Sequence, residues 1–113
     1  MSNAANIALT ALQAFDRKSK VIANNIANAN TDRFKKSRAE LEEASPSGVR
    51  VTVERVITPG DTVTIGEGER EPSTVNMEEE LIALIVNRNN YTANIKTVKA
   101  ADEMQGTLFD ILG

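Results

Sequence analysis

The residues of this chain that could do acid–base chemistry are carboxylates in two groups, Glu40, Glu42 and Glu43, then Glu78, Glu79 and Glu80. Paired carboxylates serve as general acid and base when their surroundings hold one protonated beside the other. Nothing accompanies them here. The 113 residues contain no histidine and no cysteine, and no metal-ligand spacing or phosphate-cradling loop is visible. Thiol nucleophiles, disulfides, imidazole bases and most zinc, copper and iron sites are thereby excluded. Glu78, Glu79 and Glu80 also have a sufficient role at the start of a helix, whose positive end they complement. The sequence therefore predicts no enzyme, no catalytic residue, no cofactor and no metal.

The basic residues Arg17, Lys18, Lys20, Arg33, Lys35, Lys36 and Arg38 form a local cluster. Lys and Arg total 13 against 16 Asp and Glu, a net charge of −3. That balance leaves no footprint for nucleic acid, so the cluster reads as a solvated or protein-facing patch on one helix and its exit loop. No stretch approaches the roughly 18 apolar residues of a membrane span. The first thirty residues lack a basic segment followed by an apolar one, so export would need a route other than a cleaved Sec-type signal. Absence of cysteine fits passage into an oxidising compartment.

The elements that must carry these residues announce themselves by spacing. Near the N-terminus Ala8, Leu12, Phe15, Ser19, Ile22, Ile26 and Ala29 step by alternating fours and threes. Near the C-terminus Leu81, Leu84, Arg88, Tyr91, Ile95 and Val98 do the same, continued by Ala101, Met104, Leu108 and Ile111 with one repeated three. Alternating threes and fours mark helices that pair lengthwise through a narrow seam, and the repeated three is a stammer that turns the seam. The first helix opens near Asn3 or Asn6 and closes in the run from Asn24 to Asp32. Asparagine amides compete there for backbone groups, either as a C-cap or as a buried polar junction. The second helix opens at Asn76, with Glu79 three residues on as in a capping box, and runs to about Ile111.

Between the helices, Ser45-Pro46-Ser47-Gly48 reads as a loop, and Val49, Val51 and Val53 alternate with polar residues as a strand. Thr58-Pro59-Gly60-Asp61 reads as a turn, with Val63 and Ile65 as the returning strand and Gly66 to Pro72 as a loop. The expected architecture is mainly α with a small β element: long N- and C-terminal helices paired as a coiled coil around a central β-hairpin insert. Its parts are residues 1–34, 35–75 and 76–113, the two helices forming one inner core. With the chain ends together, Leu12 and Phe15 should face Met104 to Leu108, and Ile22 and Ile26 should face Tyr91 and Ile95. That register also puts Arg17, Lys18 and Lys20 near Asp102 and Glu103.

Asn24-Asn25-Ile26-Ala27-Asn28-Ala29-Asn30-Thr31, followed by Phe34-Lys35, resembles the N-terminal signature of the bacterial flagellar rod and hook axial proteins. Val75-Asn76-Met77-Glu78-Glu79-Glu80-Leu81, Tyr91-Thr92-Ala93-Asn94-Ile95-Lys96 and Ala101-Asp102-Glu103-Met104 look like the C-terminal signature of the same family. The two stretches cover about half the chain, and the short insert looks most like the proximal rod type. Arg33 departs from the pattern, which commonly has glycine before the aromatic residue.

The resemblance implies a structural rod subunit, exported unfolded through the flagellar type III apparatus without a cleaved signal peptide. Such a subunit assembles in the periplasm with copies of itself and with other rod subunits. The implied assembly seam is Leu12, Phe15, Ile22, Ile26, Leu81, Leu84, Arg88, Tyr91, Ile95, Val98, Met104 and Leu108. The family motif is Asn24, Asn25, Asn28, Asn30, Thr31 and Phe34. A cytoplasmic coiled-coil adaptor, a secretion chaperone or a degenerate paralogue outside the rod is the alternative, separated from the first reading by export.

Overall fold

The computed structural model describes residues 3–58, 63–65 and 68–112. Helix α1 spans Asn3–Ala27 and helix α2 spans Met77–Leu112, as the seam spacing predicts. Between them lie strands β1 (Ser37–Glu43) and β2 (Val49–Arg55), antiparallel neighbours, and the shorter pair β3 (Val63–Ile65) and β4 (Gly68–Arg70). The body measures 79 × 25 × 13 Å along its principal axes. A 13 Å thickness is about one helix, so the elements lie side by side in one layer. Helices α1 and α2 and strands β1, β2 and β4 each carry exposed residues.

The central hairpin is not the one the sequence suggests. Val49 to Val53 does form a strand, but its partner is the upstream segment, with Ala39 opposite Val53 and Leu41 opposite Val51. Val63–Ile65 pairs instead with Gly68–Arg70, inside the stretch expected to be loop. The expected turn at 59–61 lies outside the described residues. Strand β1 is inconspicuous because its alternation rests on Ala39 and Leu41 alone among charged neighbours. What selects it is the surface of α1, against which Ala39 is buried, together with the tight return through Gly48.

Two polar attachments lay this hairpin along α1. Near the helix start, the Thr10 hydroxyl accepts from the Val49 amide at 3.0 Å and donates to the Ile7 carbonyl at 2.6 Å. Gly48 sits here with φ +100°, and a Cβ on it would come within 2.8 Å of the Thr10 oxygen. Glycine is required on both counts. Near the helix end, Asn25 donates from Nδ2 to the Ser37 carbonyl at 2.8 Å and accepts from the Ser37 amide at 3.0 Å. Thr10 and Asn25 lie roughly 22 Å apart along a helix rising 1.5 Å per residue. Seven residues of extended chain span nearly the same length, so helix and hairpin match end to end.

The chain leaving α1 and the chain entering α2 run beside each other. The Arg33 amide donates to the Glu71 carbonyl at 2.8 Å, the Thr74 amide to the Phe34 carbonyl at 3.1 Å, and the Lys36 amide to the Thr74 hydroxyl at 3.0 Å. Ion pairs join Lys35 to Glu71, and Arg70 to Asp32 at 2.6 Å. Asn76 then caps α2, its Oδ1 accepting from the Glu79 amide at 3.2 Å. Within this junction Arg33 has φ +63°, a left-handed conformation that costs a non-glycine residue about 1–2 kcal/mol. Arg33→Gly should remove that strain against a glycine entropy cost of about 0.5–1 kcal/mol. The expected result is a Tm raised by a few degrees, read by thermal unfolding; a fall in Tm would show that the arginine side chain supports the turn.

Candidate assembly interface

Helices α1 and α2 are antiparallel, but the register differs from the one with chain ends together. Leu12 shares a cleft with Ile95 and Val98, and with Gln105 further along, whereas Met104 and Leu108 line a different one. Ile22 shares one with Ala83, not with Tyr91 and Ile95. Phe15 lies at Asn87, whose Nδ2 donates to the Phe15 carbonyl at 2.8 Å and to the Ser19 hydroxyl at 2.5 Å. The slip is about ten residues, roughly 15 Å of helix. The junction contributes: the bonds between 33–36 and 71–74 bring the start of α2 beside the end of α1. The surplus of a 36-residue helix over a 25-residue one then projects beyond the other end of α1.

The phase of α2 differs as well. Its side toward α1 carries Leu84, Asn87, Asn94, Val98, Ala101 and Gln105, all buried or half-buried, whereas Arg88 is exposed. Apolar residues occur on more than one face of α2, so periodicity alone permits either phase. Of the expected seam, Phe15 and Ile22 are buried, and Leu12, Ile26, Leu84 and Val98 are half-buried. Leu81, Arg88, Tyr91, Ile95, Met104 and Leu108 are exposed, Met104 at 73%. Ile82, Ile85 and Val86 lie outside the expected seam and with Leu81 make an open apolar patch near the start of α2. Their adjacency is the signal: Leu81-Ile82 and Ile85-Val86 lie one turn apart, a second stripe beside the heptad one.

Among the described residues the buried apolar side chains are Phe15, Ile22 and five alanines, Ala5, Ala8, Ala11, Ala14 and Ala39. The alanines let α1 approach its neighbours closely but bury little area each. The asparagine run divides by role. Asn25, 1% exposed, is the buried polar junction through which α1 holds β1. Asn28 closes the helix locally, donating from Nδ2 to the Asn24 carbonyl at 2.8 Å and accepting from the Thr31 hydroxyl at 3.1 Å. Asn30 is exposed and Phe34 half-buried, its carbonyl taken by Thr74.

The charged residues are dispersed by the fold. Glu42 pairs with Arg50 across the hairpin at 3.3 Å, and Lys20 pairs with Asp16 on its own helix at 3.1 Å. Lys18 lines one cleft with Lys36, Arg38, Glu79 and Glu80, instead of meeting Asp102 and Glu103. Among the described residues no set of three acidic, histidine or cysteine side chains is placed to hold a metal ion. None of their helices is long and apolar enough to cross a membrane.

The paired terminal helices are the parts of the chain that known proteins share. Residues 4–35 match the family described as flagella basal body rod protein. Residues 68–111 match the family described as the C-terminal region of the flagellar basal body rod FlgEFG proteins. The chain belongs to the flagellar rod and hook axial family. That family is a structural component of the flagellum. Over 52 residues the chain is 35% identical to the flagellar hook protein FlgE of Escherichia coli K12, a match covering 46% of this chain and 13% of that protein. The chain thus aligns with only about an eighth of this curated relative's length. Nothing in these matches singles out the proximal rod protein FlgC, toward which the short insert points.

Proposed function

We propose that this chain is a structural subunit of the flagellar basal-body rod, polymerising through its terminal helices with copies of itself and with other rod subunits and helping to transmit torque. In this reading it reaches the periplasm through the flagellar type III apparatus, without a cleaved signal peptide. The observation that carries it is the uncovered apolar surface of α2. Leu81, Ile82, Ile85 and Val86 at one end, and Met104, Leu108 and Ile111 at the other, are 46–76% exposed on the very helix that matches the family. Solvent-facing side chains of this size, grouped on a helix, mark interaction surfaces.

A body one helix thick, with two large apolar side chains buried among its described residues, also gains little from folding alone. The ordering entropy of its two helices leaves them marginal alone, and neighbouring subunits that cover α2 add the burial that secures them. Folding of the helices and assembly are then coupled.

Ile85→Asp tests the reading with little risk to the fold, because Ile85 is 61% exposed and such surface changes cost within about 0.5 kcal/mol. In a strain lacking the chromosomal copy, the native chain should restore swimming and appear in purified basal bodies. Ile85→Asp should be exported but not incorporated, and cells should not swim. Normal swimming of the deletion strain, with the native chain retained in the cytoplasm, would overturn the proposal in favour of an adaptor or a paralogue outside the rod.

A further inference from the structure

Asn87 occupies the middle of the seam between α1 and α2 and is 2% exposed. Its Nδ2 serves the Phe15 carbonyl and the Ser19 hydroxyl, while its Oδ1 is buried without a hydrogen-bond partner. Turning the amide over would set Oδ1 against the Phe15 carbonyl, two acceptors face to face, so α1 dictates the orientation. A half-satisfied buried amide weakens the helix pair relative to an apolar residue of similar size. A polar residue at a seam position has a known compensating use, which is to forbid other registers.

Another register is available. The α1-facing positions Leu84, Asn87, Asn94, Val98, Ala101 and Gln105 recur by threes and fours and one seven, so a slip of one heptad, about 10 Å, presents the same face. It would bring Asn94 to Ser19, set Leu108 against Ala5 and bring Met104 beside Ala8, covering apolar surface that is now open. The junction at 71–74 does not forbid it. The first two turns of α2 can unwind at small loss, since Met77, Leu81 and Ile82 are already 38%, 46% and 63% exposed. What the slip cannot accommodate is Asn87, which would leave both its acceptors and lie against Ile26.

We propose that Asn87, through the Phe15 carbonyl and the Ser19 hydroxyl, sets the register of α2 on α1, and so keeps Met104, Leu108 and Ile111 clear of the chain's own first helix. The inference concerns the isolated chain and stands whether or not the chain builds a rod.

The chain has no cysteine, so paired substitutions report register cleanly. Leu12→Cys with Ile95→Cys reads the present seating. Ile95 and Asp102 both line the cleft that holds Leu12, but Asn87 lying at Phe15 and Ser19 puts Leu12 nearer Ile95. Asp102 is two helical turns, about 10 Å, further along α2. Leu12→Cys with Asp102→Cys reads the seating one heptad on, and a disulfide needs Cα atoms within about 7 Å. In the otherwise native chain, mild oxidation should close 12–95 at least tenfold more than 12–102. With Asn87→Leu added, the 12–102 product should rise at least tenfold. An Asn87→Leu chain that is helical by circular dichroism and still closes 12–95 alone would overturn the proposal. If Asn87→Leu does not fold, Ser19→Ala decides: removing one acceptor should raise 12–102 about threefold, and no rise in a helical Ser19→Ala chain would equally overturn it.

Discussion

Asn25→Ala should release the β1–β2 hairpin from helix α1 while leaving the hairpin's own ladder possible. The substitution strands two backbone groups at once, the amide and the carbonyl of Ser37, which Asn25 alone is seen to bind in the native chain. An unsatisfied buried polar group costs about 1–3 kcal/mol. Ser37 is half-buried, so water recovers part of the loss, and about 2 kcal/mol is expected in total. For a fold of this size that is a large fraction of the whole. The second attachment, at Thr10 and Val49, remains, so the hairpin should swing from one end and not dissociate. Native-state hydrogen exchange would read this directly. Amides of β1 should lose protection by more than tenfold, with those near Val49 less affected. Equal loss along the hairpin would mean that Asn25 supports the helix terminus and not the contact.

Phe15→Ala should have the larger effect on the helices themselves. Phe15 is the largest apolar side chain buried among the described residues, 8% exposed, with Ile22 the next. Phe→Ala in a core costs about 3–5 kcal/mol through lost transfer energy and the cavity left behind. The low end applies to a layer this thin, because α2 can settle inward. Even about 3 kcal/mol exceeds what two large side chains and five alanines can spare. The ellipticity at 222 nm should therefore fall by more than half at 25 °C, and the midpoint of any remaining transition should drop sharply. A variant with unchanged helix content would show that propensity, not the seam, holds the helices, an outcome disfavoured for isolated helices in water.

Both variants probe residues whose importance was unequally visible in the sequence. Phe15 stood out because the helix spacing of its apolar neighbours has one solution for α1, and the observed helix buries that stripe. Asn25 stood out as part of an asparagine run, but whether it capped the helix or made a junction depended on where Ser37 lies. Strand β1 was not legible. Two small or medium apolar residues among charges carry no signal until a helix surface lies against them. Strand β2 was legible, and its assigned partner was the wrong one, since a turn-like Thr-Pro-Gly-Asp downstream looked stronger than Ser-Pro-Ser-Gly upstream. Gly48 decides that contest through its close approach to Thr10, a contact between residues 38 apart that local pattern cannot encode.

The amino-acid order by itself determined the two terminal helices, their caps, their seam-like spacing, the absence of thiol and imidazole chemistry, and membership in the flagellar axial family. These follow from local energetics, since propensity, capping and 3.6-residue periodicity act within a few residues of one another. The tertiary structure alone decided the register and phase of α2, the pairing of the strands and the buried roles of Asn25 and Asn87. Helix α2 is apolar on more than one side, so its periodicity admits several seatings of similar burial. Choosing among them takes contacts between distant segments: the junction bonds from 33–36 to 71–74, and one amide held by Phe15 and Ser19 across the seam. Register is a property of two surfaces meeting, and a sequence read one segment at a time contains only one of them.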